Sequence, residues 1–429
     1  MTRVLLVGGG GREHALAWKL AQSPELDRLY AAPGNPGIAE VAECVPIKPD
    51  AVADLGALAV REGIDLTVVG PELPLTLGLA DHFAERGVLV FGPSRAAAEL
   101  EGSKVFAKRL FARHGIPTAR FEVFDDPARA RDFVHSLGGR AVVKADGLAA
   151  GKGAVVCRDL AAAEQTLGDM LERRVFGEAG ARVVVEELLE GEELSFFVLT
   201  DGERICPLVA AQDHKAVYDD DRGPNTGGMG AYSPPPVLDA ALARRILDGI
   251  VRPTVRAMAA EGRPYRGVLF AGLMLTAEGP KVLEYNVRHG DPECQTLMVR
   301  LTTDLLPLCR AVAEGKGLPE TVAWRPEAAV CVVLASAGYP GSYPTGQPIT
   351  GLTAAGARPG VTLFHAGTAR RDGRLVTAGG RVLGVTALGA DIPAAIHAAY
   401  AAVRDIHFEG MHYRRDIGGR ALARLGRRG

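Results

Sequence analysis

Short apolar runs alternate with helical stretches over the first hundred residues, and this alternation limits the fold more than any other feature. Four runs have the length and composition of buried strands: Val4–Val7, Leu29–Ala31, Leu66–Val69 and Val88–Phe91. A loop rich in Gly or Pro follows each of them. Strands and helices in alternation, joined by short turns, predict a doubly wound parallel sheet. Because ligands of open α/β sheets bind at the carboxyl ends of the strands, we expect a site in these loops.

The glycine-rich turn after the first strand lacks the spacing of a dinucleotide-binding loop. The G-x-G-x-x-G pattern requires Gly where this chain has Glu13 or His14, and the second strand ends without the acid expected on a nucleotide ribose. The spacing therefore disfavours an NAD-dependent oxidoreductase, which we keep as an alternative from a different class. Backbone N–H groups at a helix N-terminus still attract anions, and Arg12 adds a cation. We expect a phosphorylated small molecule here, or else a tight turn without a ligand.

Composition and charge exclude several classes of protein. The 49 Lys and Arg residues nearly balance the 51 Asp and Glu residues, which argues against a nucleic-acid binder. The six Cys residues form no C-x-x-C pair, so we expect reduced thiols. No apolar run approaches the ~18 residues of a membrane span, and the N-terminal run is too short for a signal peptide. We therefore expect a cytoplasmic protein with no nucleic-acid or membrane partner.

A strand–loop–strand pattern in the middle of the chain is built around glycine. The strands are Ala141–Lys144 and Ala154–Cys157, and the loop between them, residues 145–153, carries three glycines and Lys152. A P-loop differs, because there a helix follows the loop and Ser or Thr follows the lysine. Lys144 and Lys152 can both reach phosphate oxygens, so the pattern predicts a hairpin that folds over a polyphosphate.

A later strand, Pro280–Leu283, runs into three polar residues that alternate along the chain. Glu284, Asn286 and Arg288 share one face, since side chains two apart in a strand point the same way. A carboxylate beside an amide oxygen suits Mg²⁺, and the arginine can bind a carboxylate or a phosphoryl group. The alternative is a half-exposed strand face without a ligand.

Two further segments are candidate binding loops. The acidic stretch 186–193 follows a strand at Val183–Val185 and could hold a nucleobase and a ribose, or could be a solvated acidic loop. The stretch 212–232 has no periodicity and is rich in Gly. A loop this long inside a compact protein is usually functional.

Taken in order, these segments resemble the ATP-grasp enzymes, and within them the phosphoribosylamine–glycine ligase family. The matching strings include Gly-Gly-Arg-Glu-His-Ala (10–15), Leu-Glu-Gly-Ser-Lys (100–104), Lys-Ala-Asp-Gly-Leu-Ala-Ala-Gly-Lys-Gly (144–153), Gln-Asp-His-Lys (212–215), Gly-Pro-Asn-Thr-Gly-Gly-Met-Gly-Ala-Tyr-Ser (223–233) and Arg-x-Gly-Asp-Pro-Glu (288–293). The resemblance covers essentially the whole chain. It implies an ATP-grasp fold with an N-terminal doubly wound domain and a small β-rich C-terminal domain.

The resemblance also implies a cofactor site. Its ATP-binding residues are Lys104, Lys144, Gly151, Lys152, Gly153, Glu186, Glu187, Leu189 and Glu193. The lysines contact phosphates, residues 186–189 frame the adenine, and Glu193 takes the ribose hydroxyls. Glu284 and Asn286 hold Mg²⁺ or Mn²⁺. Four of the nine lysines in the chain, at positions 104, 144, 152 and 215, fall in these matching strings.

The implied substrates are glycine and 5-phosphoribosylamine. Residues expected near phosphoribosylamine are Gly10, Gly11, Arg12, Glu13, Asn35, Pro71 and Glu72. Residues expected around glycine and the acceptor are Asp213, Asn225, Thr226, Gly227, Arg288 and Glu293. The catalytic residues among all of these are Arg288, Lys152, Asp213 and Asn225. We expect a monomer or a weak homo-oligomer.

The implied reaction joins glycine to phosphoribosylamine at the expense of ATP, through glycyl phosphate. Another ATP-grasp ligase or carboxylase of purine synthesis is the alternative within the same fold. The chain departs from the family string at His289, where an apolar residue is usual, and the strand 269–275 carries no extra acid for a metal. We expect domains at 1–102, 103–325, with a lid subdomain at about 118–190, and 326–429. The basic C-terminal end is interpreted as a solvated helix face rather than a nucleic-acid tail.

Overall fold

The computed structural model describes residues 1–148 and 153–426, and the N-terminal region is a doubly wound parallel sheet, as predicted. Its strands lie in the order β3-β2-β1-β4-β5. Alternate residues of the first strand pack on opposite faces: Leu5 and Val7 in one core, Val4 and Leu6 in another. The elements are β1 (Thr2–Gly8), α1 (Gly11–Leu20), β2 (Leu26–Pro33), β3 (Glu43–Cys44), α2 (Val52–Glu62), β4 (Leu66–Val69), α3 (Glu72–Thr76), α4 (Leu79–Ala84), β5 (Leu89–Phe91) and α5 (Arg95–Gly102).

The next region is a small antiparallel sheet with helices on it. Ser103 caps the first helix by accepting a hydrogen bond from the backbone N–H of Phe106, a role for which serine is well suited. The strands pair in the order β6-β9-β7-β8, and the predicted hairpin is formed by β7 and β8. The elements are α6 (Lys104–His114), β6 (Phe121–Phe124), α7 (Pro127–Ser136), β7 (Ala141–Ala145), β8 (Ala154–Cys157), α8 (Leu160–Leu167) and β9 (Val183–Glu187).

A second antiparallel sheet, β11-β10-β16-β17, forms the centre of the molecule. Its long strands are buried because helices and the N-terminal region pack against them. The elements of this part are β10 (Glu192–Thr200), β11 (Ile205–Pro207), β12 (Gln212–Asp213), β13 (Ala216–Tyr218), β14 (Arg222–Asn225), β15 (Gly230–Ser233), α9 (Ala240–Ile246), α10 (Arg252–Ala260), β16 (Gly267–Thr276), β17 (Gly279–Asn286), α11 (Glu293–Arg300) and α12 (Leu305–Glu314).

The C-terminal sheet, β12-β15-β18-β22-β19, takes two of its strands from the middle of the chain. This pairing places the 212–233 segment between the central and C-terminal sheets. The domain boundary expected at residue 325 assigns the segment to the middle domain alone. The remaining elements are β18 (Ala328–Ala335), α13 (Leu352–Gly356), β19 (Val361–His365), β20 (Thr368–Arg371), β21 (Arg374–Thr377), β22 (Arg381–Gly389), α14 (Ile392–Val403) and α15 (Gly419–Gly426).

Ion pairs hold the basic C-terminal end, and at Arg414 its interpretation as a solvated face is wrong, whereas Arg415 is exposed and Arg420 and Arg424 are partly exposed. Arg414 is 1% exposed and pairs with Asp221 at 2.9 Å and Asp416 at 2.6 Å. Arg424 pairs with Glu192 at 2.6 Å. Two of these carboxylates, Asp221 and Glu192, lie far away in sequence, which is why periodicity alone could not reveal the pairs. Within residues 1–148 and 153–426, no helix is long and apolar enough to cross a membrane.

Candidate active site

One cavity of about 460 Å³ lies where the N-terminal, hairpin, central and C-terminal sheets meet. Most of the residues singled out in the sequence line it. They are Arg12, Glu72, Lys104, Lys144, Gly153, Glu186, Glu187, Leu189, Glu193, Asp213, Asn225, Thr226, Gly227, Glu284, Asn286, Arg288 and Glu293. Gly10, Gly11, Glu13, Asn35 and Pro71 are not among its lining residues. Gly151 and Lys152 lie outside the described residues.

Two lysines flank one buried carboxylate at the hairpin side of the cavity. Glu186, 1% exposed, lies 2.8 Å from the Lys108 Nζ through Oε2 and 2.9 Å from the Lys144 Nζ through Oε1. Burial favours the neutral carboxyl, but the two ammonium groups hold the pKa of Glu186 below its usual value. These three residues are called the lysine cluster below. Lys104 donates to the carbonyl oxygen of Gly147 at 2.9 Å and completes the cationic wall.

Two carboxylates flank one partly buried guanidinium near the end of β17. Arg288 Nε lies 3.1 Å from Glu72 Oε2, and its Nη2 lies 2.9 Å from Glu101 Oε1. Glu101 also accepts the backbone N–H of Val287 at 2.7 Å. Burial raises the pKa of Glu101 to about 7, even though Arg288 acts against it. Glu72, Arg288 and Glu101 are called the arginine cluster below.

The glycine-rich turn holds a carboxylate of the protein itself. Glu13 Oε2 accepts the backbone N–H of Gly10 at 2.6 Å, and Arg12 Nη1 reaches Glu13 Oε1 at 3.2 Å. A Cβ on Gly8 would stand 2.5 Å from the Glu13 side chain, so the turn needs glycine to let that side chain approach. The backbone N–H of Arg12 meets a second carboxylate, Asp291. A carboxylate of the protein therefore lies at this helix N-terminus, where the glycine pattern predicted an anion.

Asn35 joins the glycine turn to the C-terminal region. Its amide nitrogen donates to the carbonyl oxygens of Gly9 and His365, both at 2.9 Å. Its amide oxygen accepts the backbone N–H groups of Gly37 and Ile38. Both polar atoms of its side chain are thus engaged within the protein, in a connection between two regions of the fold.

Asp213 is a buried carboxylate that faces the cavity. It is 7% exposed and accepts no hydrogen bond on its carboxylate within the described residues. Burial raises its pKa to about 7; Lys215 opposes that shift, while Glu293 and Glu193 reinforce it. Lys215 itself pairs with Glu193 at 2.7 Å. A carboxylate with a pKa near neutrality and no fixed partner suits a proton acceptor.

Glu284 and Asn286 fit the role of metal ligands. Both line the cavity, and neither side-chain oxygen accepts a hydrogen bond within the described residues. Burial acts to raise the pKa of Glu284, but surrounding cations, Lys215 foremost, hold it below its usual value, so the carboxylate is ionised. No group of three His, Cys, Asp or Glu residues in the described ranges is arranged to hold a metal. The protein thus offers two oxygens, and a Mg²⁺ shell shared with phosphates and water needs no more.

Three lining residues were missed by the sequence reasoning: Glu101, Lys108 and Arg381. Arg381 comes from β22 and donates to the carbonyl oxygens of Gly227 at 2.7 Å and Asp291 at 2.6 Å. It therefore ties together the two loops on which Asn225 and Arg288 were predicted. Glu101 lies within the string Leu-Glu-Gly-Ser-Lys, which could have identified it; Lys108 lies one helical turn after Lys104, where spacing of i and i+4 was the available signal.

His289, the departure from the family string, is a buried neutral ring. It is 3% exposed, and neither ring nitrogen has a partner within the described residues. Burial, with Arg12 and Arg288 nearby, lowers its pKa to about 3. A neutral imidazole of this kind occupies the position of an apolar residue without adding charge.

Comparison with known proteins gives a consistent result. Three family models match in order: the phosphoribosylglycinamide synthetase N domain over residues 2–101, its ATP-grasp (A) domain over 102–294 and its C domain over 329–420. The chain is 56% identical over 421 residues to the phosphoribosylamine–glycine ligase of Caulobacter vibrioides, covering 98% of each chain. It is 54% identical over 422 residues to that of Rhizobium meliloti, covering 98% of this chain and 99% of the relative.

Solved structures agree with these matches. The phosphoribosylamine–glycine ligase of Thermotoga maritima matches with a TM-score of 0.84 and 34% identity, covering 97% of this chain and all of that one. The biotin carboxylase domain of the Hydrogenobacter thermophilus 2-oxoglutarate carboxylase matches with a TM-score of 0.74 at 16% identity, which supports the fold alone. The chain belongs to the phosphoribosylglycinamide synthetase family.

Proposed function

We propose that this enzyme ligates glycine to 5-phosphoribosylamine, giving glycinamide ribonucleotide, ADP and phosphate. The observation that carries the proposal is a single cavity lined by residues of the matching strings from Arg12 to Glu293. The relatives named above carry the same ligase activity in their names. An NAD-dependent oxidoreductase finds no support, since the N–H groups of the glycine turn already bind carboxylates of the protein.

ATP is proposed to bind along the lysine cluster. Lys104 and Lys144 would neutralise its phosphates, while the segment 186–189 would frame the base and Glu193 the ribose. Glu284 and Asn286 would hold Mg²⁺, with Mn²⁺ as the other candidate, and such an ion neutralises the charge that develops on the transferred phosphoryl group. Support comes from the side-chain oxygens of Glu284 and Asn286, which lie at the cavity and accept no hydrogen bond from the part of the chain that the structure describes.

The reaction needs two group transfers at one place. An oxygen of the glycine carboxylate attacks the γ-phosphorus of ATP, and the bond to ADP breaks. The amine nitrogen of phosphoribosylamine then attacks the carbonyl carbon of glycyl phosphate, and phosphate leaves. Asp213 is proposed to accept the proton that the amine nitrogen loses, because its carboxylate faces the cavity with a pKa near neutrality.

Arg288 and the 225–227 loop are proposed to orient glycine and the acceptor. Glycyl phosphate hydrolyses readily, so water must be excluded while it exists. The segments 147–153 and 223–230 are proposed to close over the cavity for that purpose. We further propose that the enzyme works in the cytoplasm as a monomer or a weak homo-oligomer.

Release of ADP with phosphoribosylamine generated in situ tests the proposal. We expect rapid ADP release only when glycine is present, and no comparable release when bicarbonate or formate replaces it. Equal release with bicarbonate would identify a carboxylase of the same fold instead. Release that does not depend on the amine would contradict the ligation step.

A further inference from the structure

Lys108 is a buried cation that the proposed function leaves without a role. It lies on α6 and is 2% exposed, yet it lines the cavity. Its Nζ donates to Glu186 Oε2 at 2.8 Å and to Thr118 Oγ1 at 2.6 Å. Thr118 can accept that bond because its own hydroxyl proton goes to the carbonyl oxygen of Val282 at 2.7 Å. A lysine buried this deeply requires partners that compensate its desolvation, and these partners are oriented to do so.

The chain of contacts continues from Glu186 to the cavity side. Lys144, on β7, lies 2.9 Å from Glu186 Oε1 and donates to the carbonyl oxygen of Leu283 on β17. Thr118, Lys108, Glu186 and Lys144 thus link α6, β9, β7 and β17 through one line of polar atoms. The position of Lys144 depends on Glu186, and the position of Glu186 depends on Lys108.

Lys108 changes the net charge of the lysine cluster. Two ammonium groups and one carboxylate leave a surplus of one positive charge in the lysine cluster. Without Lys108, Lys144 and Glu186 would neutralise each other, and a bound polyanion would meet a neutral pair. In a buried site this difference counts for more than on a surface, because water does not screen it.

We propose that Lys108 is a positioning residue for ATP: it holds Glu186 and thereby leaves the charge of Lys144 available to the nucleotide phosphates. The inference rests on the proposed binding of ATP in this cavity. Lys108 touches no reacting atom in this account and acts through Glu186.

The protonation state of Lys108 provides a readout beyond structure. Burial lowers the pKa of Lys108 to about 8, and Lys144 also lowers it, against the effects of Glu186 and Glu284. Glu101, from α5, lines the same cavity. The aromatic rings of Phe111 and Phe121 lie 5.9 and 5.8 Å from the Nζ. As pH rises through about 8 the ammonium is lost, the surplus charge disappears, and use of ATP should weaken.

Two variants test the inference, with kcat/KM for ATP measured from pH 6.5 to 9.5. Lys108→Met should lower kcat/KM for ATP by about 10- to 100-fold at pH 7, the value of a charged hydrogen bond, with the KM for glycine within about twofold of wild type. Lys108→Arg should keep most of the activity at pH 7 and lose the alkaline decline near pH 8, because arginine does not titrate there. Lys316→Met, at a 78% exposed side chain, is the matched control and should change neither.

The outcomes separate the inference from the proposed function. Wild-type kcat/KM for ATP in Lys108→Met, or an alkaline decline in Lys108→Arg equal to that of wild type, would overturn the role of Lys108. If Lys108→Met fails to fold, the pH profile of Lys108→Arg decides alone. Absence of glycine-dependent ADP release in the wild-type enzyme would instead contradict the proposed function, and direct titration with ATP would still test Lys108.

Discussion

The lysine cluster and the arginine cluster combine cations and carboxylates in opposite ratios. The first places two cations around one carboxylate, and the second places two carboxylates around one cation. Both border one cavity, and β17 connects them: Lys144 donates to Leu283, and Arg288 stands five residues further along. At about 3.3 Å per residue of extended chain, the two points lie at most roughly 16 Å apart, because β17 ends at Asn286.

The two clusters differ in their local net charge, which is distinct from the total charge of the chain. The chain as a whole carries a net charge of −2, which says nothing about small charged ligands. A surplus positive charge at one end suits the phosphates of ATP. A surplus negative charge at the other, present once Glu101 is ionised, suits the ammonium group of glycine or an amine. The difference shows how one cavity can sort substrates by the proportion of acids to bases in each cluster.

The largest effect is expected when Arg288, the central cation of the arginine cluster, is replaced. Arg288→Gln leaves Glu72 and Glu101 close together and partly buried without a cation. We expect a loss of about 3–5 kcal/mol in the free energy of unfolding and about 10³-fold in kcat. Denaturant unfolding and initial rates measure the two effects. Arg358→Gln, which removes an exposed pair with Asp405, is the control; an equal loss there would contradict the account.

Glu284 lies between the clusters, so its removal affects both. The cations that act on it come from both sides: Lys215, Lys144, Lys104 and Arg288. We expect Glu284→Ala to lower kcat about 10²-fold and to raise the Mg²⁺ concentration needed for half-maximal rate. Metal titration of initial rates measures this. A titration curve identical to that of wild type would remove Glu284 as a ligand.

Glu101→Gln removes only the surplus negative charge of the arginine cluster. The expected rise in KM for glycine is about tenfold, with little change for ATP. Glu99→Gln, on the same helix but paired with Arg263 at the surface, is the matched control. A change of KM for glycine no larger than in this control would contradict the role of the arginine cluster.

Glu101→Gln should also change how the free energy of unfolding depends on pH. The pKa of Glu101 is raised to about 7 from 4.5, so the folded state holds a proton that the unfolded chain has released. The corresponding stability is fully present below about pH 4.5 and is lost as pH rises through about 7, on the order of 3 kcal/mol in total. The free energy of unfolding of Glu101→Gln should therefore fall less steeply across this range than that of wild type. Parallel slopes would exclude a raised pKa.

The smallest effect is expected outside both clusters. Arg424 pairs with Glu192 at a partly exposed position of the C-terminal helix. Arg424→Gln should cost about 0–1 kcal/mol in the free energy of unfolding and less than twofold in rate. Thermal unfolding and initial rates check this. A large loss of rate would mean that the C-terminal helix, and not only the two clusters, determines activity.

The sequence predicted what depends on local pattern. The parallel sheet followed from the four apolar runs, and the shared face of Glu284, Asn286 and Arg288 followed from strand periodicity. It could not predict what depends on distant partners. Glu13 filling the glycine turn is such a case, since the turn looks the same with a phosphate in it.

Burial of charge was equally hidden from the sequence. The lysines in the matching strings were recognised, but Lys108 was not, because its role depends on Glu186, 78 residues away. Arg288 was expected to bind a carboxylate or a phosphoryl group, and the carboxylates that it contacts belong to Glu72 and Glu101. Both cases depend on which sheets come together, and no spacing rule along the chain reports that.

A crossed measurement of KM tests the central claim, that the two clusters serve different substrates, most directly. KM for ATP and KM for glycine are determined for Lys108→Met and for Glu101→Gln under one set of conditions. We expect Lys108→Met to raise only the KM for ATP and Glu101→Gln to raise only the KM for glycine. Equal increases of both constants in both variants would contradict it.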